Sequence, residues 1–282
     1  MEVGVVGSGL MGAEIALVFA LAGHDVVLND RDQETLTRAT ARLARLMDRS
    51  VANGAHSSDE RDGALGRIRT ATDLAGFAEV ALVTEAVFET VEAKATVLAA
   101  LDAVCGPDCI IASNTSTLPI STLAAALPPE RRARFLGTHY FSPVSRMKLV
   151  EVVSAFETHP DAVAEVEELL RAIGKTPVAI KDAAGFAVNR LLHAVLIEAV
   201  KLVEEGVVSP ADLDTACRLG LGHPIGPFAL MDVVTSDLCL QVQSILNDAY
   251  GERFRPPALL KQRVAAGLGG GRGRPGWIAD RG

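Results

Sequence analysis

Residues 2–30, "EVGVVGSGLMGAEIALVFALAGHDVVLND", constrain the fold more than any other stretch of the chain. They read as a short apolar strand, a glycine turn, an amphipathic helix and a second strand, "DVVLN", that ends in an acid. Gly7, Gly9 and Gly12 follow the pattern G-x-G-x-x-G, with Leu10 and Met11 inside it. The first glycine permits the tight turn, the second lets a pyrophosphate approach the backbone, and the third lets helix pack closely on strand. The pattern follows a strand, opens a helix, and is completed by Asp30 eighteen residues after Gly12, where a carboxylate can accept hydrogen bonds from a ribose hydroxyl. A 2′-phosphate there would meet a like charge, so NAD is favoured over NADP, although the adjacent Arg31 could in principle swing over to receive such a phosphate.

Beyond Asp30 strands and helices alternate. "DQETLTRATARLARLMDRSVANG" has helical periodicity with a charged outer face, "EVALVTEAV" is a buried strand, "ETVEAKATVLAALDAV" a helix, and "CIIASNTS" a strand breaking into polar residues. "RFLGTHYF", "KLVEVVS" and "TPVAIKD" supply three more strands, with a helix around "DAVAEVEELLRAIG" before the last. The expected fold is α/β, a Rossmann-type doubly wound sheet over residues 1–183 whose ligand crevice lies at the carboxyl ends of the strands. After Asp182 the alternation stops. "AGFAVNRLLHAVLIEAVKLVEEG" predicts a long helix stopped by Gly206, "SPADLDTACRLG" a helix with Ser209 as N-cap and Pro210 in its first turn, and further helical segments run to about residue 266. Residues 184–282 are therefore expected to form an all-helical second domain, whose first helix is apolar enough to pack against the first domain, a partner subunit, or both.

The 282 residues are 49% hydrophobic and 22% charged, enough to bury a large core and too apolar for a disordered chain. The net charge of −8, with basic residues scattered, argues against nucleic acid as a partner. No basic segment precedes the first strand, and the longest apolar run, "LLHAVLIEAVKLV", is broken by His193, Glu198 and Lys201. Neither a signal peptide nor a membrane span is expected, which places the chain in the cytoplasm. Four cysteines (Cys105, Cys109, Cys217 and Cys239) make no disulfide framework in so long a chain, and "CGPDC" lacks a second pair at metal-ligand spacing, so no metal is expected.

"THYFSPVSRMKLVEV" places His139 and, twelve residues on, Glu151 in segments patterned as buried strand. An imidazole held by a carboxylate is suited to taking the proton of a secondary alcohol near neutral pH while hydride leaves for a nicotinamide ring. Taken with "GSGLMGAEIA", "SNTSTLPIS", "GKTPVAIKDAAGFAVNRLL" and "GHPIGPFALMDVV", in this order and spacing, the chain resembles the 3-hydroxyacyl-CoA dehydrogenases over nearly its whole length. The resemblance implies an NAD-dependent enzyme of fatty acid metabolism that oxidises a 3-hydroxyacyl thioester, usually as a homodimer, with residues 184–282 serving the substrate and the dimer contact. His139 matches the family's catalytic histidine and Glu151 the glutamate paired with it. Ser116 matches a serine that contacts both substrate and cofactor, and Asn189 an asparagine that hydrogen-bonds the reacting end of the substrate; both donate without changing charge. Glu89 and Lys94 resemble a pair on the cofactor side, near ribose and nicotinamide.

The departures from the family pattern concern the substrate. Ser142 stands where many members have asparagine, and still offers a donor; Thr90 stands where asparagine usually follows the glutamate. Thr235 replaces a glycine, and the tail "GLGGGRGRPGWIADRG" matches the family's basic, glycine-rich ending only loosely. Leu46 and Asn53 fall where members that bind free CoA carry a serine and a lysine, with Arg42, Arg45 and Arg49 nearby as possible replacements on the same helix. The acyl partner is thus read as acyl-CoA, with an acyl carrier protein as the alternative. Two rival readings remain. A dehydrogenase of the 3-hydroxyisobutyrate type would need a lysine on the interdomain helix, and none precedes Lys201; a non-catalytic NAD-binding protein would have no reason to hold Ser116, His139, Glu151 and Asn189 together.

Overall fold

A computed structural model describes residues 1–278 of the chain. It divides into two compact units, Met1–Ala183 and a second beginning at Ala184. The first is built on an eight-stranded sheet of β1 (Glu2–Val6), β2 (Asp25–Asn29), β3 (Ile68–Ala71), β4 (Leu82–Glu85), β5 (Ile110–Ser113), β6 (Phe135–Tyr140), β7 (Leu149–Ser154) and β8 (Thr176–Lys181), in the order β3-β2-β1-β4-β5-β6-β7-β8. All neighbours are parallel except β6 and β7, which run antiparallel. The order reverses at β1, so β1 and β4 flank the switch point where such sheets open a crevice. This is the doubly wound α/β fold expected from the alternation.

The helix Leu10–Leu21, expected to be amphipathic, carries nine consecutive buried residues, Gly12 to Ala20, and apart from the buried Glu14 is apolar on every face. A helix of that kind must be covered all round. The sheet covers one side; the helices Gln33–Ala52 and Ser58–Gly66 cover the other. Each of Ile15, Leu17 and Phe19, at 0–1% exposure, contributes about 1.5–3 kcal/mol by leaving water. Gln33–Ala52 turns Leu36, Ala39, Leu43 and Met47 inward at three- and four-residue spacing, and Asp32 caps it by accepting from the Glu34 and Thr35 amides. Its charged face is left outward, as the periodicity required.

Three further features depart from the sequence reading. The strand β3 and the helix Ser58–Gly66 are additional: the strand is four residues at the sheet edge with no buried face, and the helix buries only Ala64. The long helix of the second unit runs Val188–Glu204, starting later than expected, because Gly185 and Phe186 adopt φ of +70° and +47°. Left-handed residues cannot continue a right-handed helix.

The second unit is helical throughout its regular elements: Val188–Glu204, Pro210–Gly220, Pro227–Val234, Ser236–Tyr250 and Ala258–Ala265. Leu196, Val200, Phe228, Met231, Cys239, Leu260 and Trp277 form its core. The tail folds back on that core, where Trp277 Nε1 donates to Ser236 Oγ at 2.8 Å and Asp232 accepts from the Trp277 and Ile278 amides. Among the described residues no single helix is long and apolar enough to cross a membrane.

Candidate active site

The glycine turn is the first part of the site. Gly7 has φ of +95°, and a Cβ on it would lie 2.6 Å from the Ala86 carbonyl oxygen; a Cβ on Gly12 would lie 1.9 Å from the Gly7 carbonyl oxygen. Both positions therefore exclude any side chain. Gly9 differs: a Cβ there meets nothing within 4 Å and would project into open space. That space is a cavity of about 730 Å³ lined by Gly7, Gly9, Leu10, Met11, Asp30 and Arg31, with Val87 and Phe88 opposite. It matches the size of a cofactor site. Gly9 is the N-cap of the helix Leu10–Leu21 and has no side chain to satisfy the first amides, which suits that helix start to a diphosphate. Asp30 Oδ2 accepts from both the amide and the hydroxyl of Ser8 at 2.9 Å, fixing the carboxylate beside the turn. The donors, the open space at Gly9 and the acid at the end of β2 fit NAD.

His139 and Glu151 are directly opposed in the antiparallel register of β6 and β7. Cross-strand partners in such a ladder point to the same face, so the register itself brings the side chains together. His139 Nδ1 lies 2.7 Å from Glu151 Oε2, with the residues 4% and 1% exposed. A carboxylate can only accept, so Nδ1 carries the proton and Nε2 is the nitrogen that can take one. The Phe141 ring packs on the imidazole with centroids 4.4 Å apart. Burial pushes the neighbouring Tyr140 phenol well above its ordinary value, which keeps it protonated and out of acid–base work near neutral pH.

Between these two parts lies a charged network centred on Glu89. Its Oε1 accepts from the amides of Ser116 (2.7 Å) and Thr117 (3.1 Å) and from the Thr115 hydroxyl (2.5 Å), so one carboxylate shapes the loop after β5 that carries Ser116. Its Oε2 lies 3.4 Å from Lys94 Nζ. Lys94 is wholly buried and pairs at 2.8 Å with Glu85, also wholly buried, whose other oxygen accepts from Ser113 Oγ at 2.6 Å. The ammonium thus faces two carboxylates and does not line the cavity at the glycine turn. Thr90 caps the helix Val91–Asp102 by accepting from the Ala93 amide, a role asparagine fills equally well.

Sequence reasoning passed over Glu85, although an acid in a buried strand is the same signal that marked Glu151. It also passed over Ser8, whose hydroxyl binds Asp30. Arg42, read as a candidate for CoA phosphates, instead donates to the carbonyls of Ser8 and Gly9. Ser142 is exposed, in the connection between β6 and β7. Asn189 is the second residue of the helix Val188–Glu204 in the second unit. Among the described residues no group of three or more histidine, cysteine or acidic side chains is arranged to hold a metal.

Known proteins resemble this chain over nearly its whole length. Residues 2–183 match the family model described as 3-hydroxyacyl-CoA dehydrogenase, NAD binding domain, and residues 185–279 match 3-hydroxyacyl-CoA dehydrogenase, C-terminal domain. A probable 3-hydroxybutyryl-CoA dehydrogenase of Deinococcus radiodurans is 39% identical over 269 residues, covering 95% of this chain and 96% of that one. A 3-hydroxybutyryl-CoA dehydrogenase of Mycobacterium tuberculosis is 39% identical over 269 residues, covering 94% and 93%. The crystal structure of (S)-3-hydroxybutyryl-CoA dehydrogenase from Ralstonia eutropha superimposes with a TM-score of 0.95 at 35% identity, covering 99% of each chain.

Proposed function

The chain belongs to the 3-hydroxyacyl-CoA dehydrogenase family, and from that premise we propose that it oxidises a short 3-hydroxyacyl-CoA to the 3-oxoacyl-CoA, with His139 as base and Glu151 as its partner. The buried 2.7 Å contact between His139 and Glu151, on the same sheet whose strand ends border the cavity at the glycine turn, carries this reading. NAD, when bound, supplies the acceptor for the hydride on C3. The turn of Gly7, Gly9, Leu10 and Met11 holds its diphosphate, with Gly12 keeping helix against strand, and Asp30 takes its ribose hydroxyls through the oxygen that Ser8 does not engage. His139 Nε2 removes the proton of the 3-hydroxyl as C3 becomes a carbonyl carbon, and Glu151 stabilises the imidazolium so formed.

Ser116 and Asn189 position the hydroxyl and thioester oxygens with neutral donors, and Ser142 offers a third. Glu89 fixes the Ser116 backbone, and Lys94 fixes Glu89. Relatives named as 3-hydroxybutyryl-CoA dehydrogenases support a short acyl group on CoA over one on a carrier protein. Leu191, Leu219, Leu221 and Val233 in the second unit are 64–83% exposed, and we place a homodimer contact there. Four unpaired cysteines are in keeping with the cytoplasm.

The test is acetoacetyl-CoA reduction by NADH. His139→Gln lowers kcat by about a hundredfold or more while the Kd for NADH stays within about twofold. A variant keeping more than about a tenth of wild-type kcat sinks the assignment. A kcat/KM about a hundredfold higher for the carrier-protein ester than for the CoA ester transfers the substrate to that carrier.

A further inference from the structure

We propose that Arg42 is a positioning residue for the cofactor diphosphate, acting by clamping the carbonyl side of the glycine turn. Its terminal nitrogen donates to the carbonyl oxygens of Ser8 at 3.1 Å and Gly9 at 2.8 Å, reaching across from the middle of the helix Gln33–Ala52. The neighbouring Ala39 and Leu43 are buried, so that face of the helix is held against the first unit's core. Ser8 is itself only 1% exposed, and Asp30 holds its amide and hydroxyl. One carboxylate and one guanidinium therefore grip three polar groups of Ser8.

The consequence follows from peptide geometry. In a planar trans peptide the C=O and the N–H of the next residue point in opposite directions. The carbonyls of Ser8 and Gly9 turn towards Arg42; the amides of Gly9 and Leu10 then turn away from it. Gly9 and Leu10 line the cavity, and a Cβ added at Gly9 meets only open space. Arg42 thus aims two donors at the place a diphosphate occupies, and its charge polarises the same two peptides into stronger donors. A clamp is needed because glycine rotates at little cost: a flipped Ser8–Gly9 peptide would present a carbonyl oxygen to the phosphates. The Gly9 carbonyl also accepts the first helical bond, from the Ala13 amide at 3.1 Å, so the clamp and the helix start hold the same oxygen.

This role rests on the NAD reading, whose own failure would show as no NADH binding by the wild-type protein. The experiment measures the Kd of NADH, ADP-ribose and adenosine, the last by competition, for wild type, Arg42→Met and Arg42→Lys, each checked for folding by thermal melting. Arg42→Met raises the Kd of NADH and ADP-ribose about tenfold or more, because two charge-assisted bonds are lost, and leaves adenosine within about twofold. Arg42→Lys lies between, since an ammonium keeps the charge and can donate to carbonyls, but its shorter side chain does not bring the nitrogen to where the Arg42 terminal nitrogen sits; it carries the same comparison if the methionine variant does not fold. An NADH Kd within about twofold of wild type in Arg42→Met, or equal losses of adenosine and ADP-ribose in either variant, overturns the proposal.

Discussion

Replacing Glu151 with glutamine separates the charge of the His139 partner from its shape. The carboxylate is 1% exposed and contacts Nδ1 at 2.7 Å, so solvent screens the pair little once a proton moves to Nε2. Two unit charges about 4 Å apart at an effective dielectric of about 20 attract by about 4 kcal/mol. Glutamine keeps an oxygen that accepts from Nδ1, which preserves the ring orientation and returns about a third to a half of that energy as a neutral hydrogen bond. The net loss falls on the transition state, where the imidazolium forms, and amounts to about 2–3 kcal/mol, or roughly 30- to 150-fold in kcat. The assay is steady-state reduction of acetoacetyl-CoA beside direct NADH titration of the same samples. NADH affinity stays unchanged because no part of the pair touches the glycine turn. A kcat within about threefold of wild type would show that Glu151 only fills space, and a parallel loss of NADH affinity would show that the variant damages the sheet.

Two further predictions concern stability and assembly. His193, 5% exposed and with no partner for its Nδ1 among the described residues, has its pKa lowered by burial from 6.5 to about 4. Above pH 6.5 it contributes nothing, whereas below it the unfolded chain binds a proton that the folded chain refuses, so stability falls by about 3 kcal/mol by about pH 4. Denaturant titrations across that range should show His193→Leu with a shallower acid decline than wild type; equal slopes refute the burial argument. Light scattering at micromolar concentration should give twice the 29.6 kDa chain mass, with Leu219→Glu shifting it towards the monomer, and a clean wild-type monomer refutes the assigned interface.

What the sequence disclosed and what it withheld divide along a physical line. The glycine turn and Asp30 were legible because they answer to local backbone demands: a positive φ, a close approach and an acid at a strand end. His139 and Glu151 were legible because ionisable groups in a buried-strand pattern need a reason to be there. Their pairing was legible only through the family resemblance, since the pattern of the two segments alone does not give the register that opposes them, which the connection between β6 and β7 fixes. Helix Gln33–Ala52 carries four arginines and reads as an ordinary charged face, and nothing in its spacing distinguishes Arg42, which reaches the glycine turn, from Arg45 or Arg49. Likewise Phe186 gives no sign that it adopts a left-handed conformation, so the start of the helix Val188–Glu204 was misplaced.

The topology explains why so much chemistry collects at one edge of the sheet. β1, β2, β4, β5 and β6 run in one direction, so Gly7, Asp30, Glu85, Asn114 and His139 all fall at or just beyond the same ends. Asn114 ties two of those ends together, its Oδ1 accepting from the Tyr140 amide at 3.0 Å and its amide donating to the Glu85 carbonyl at 2.7 Å. A parallel strand beside β6 would bring its own terminal residues to that edge. β7 runs the other way, and so Glu151 meets His139 from the third residue of its strand, already surrounded by sheet. The antiparallel pairing is therefore what sets the buried carboxylate directly beside the imidazole, where it holds the proton on Nδ1 and leaves Nε2 to act as the base.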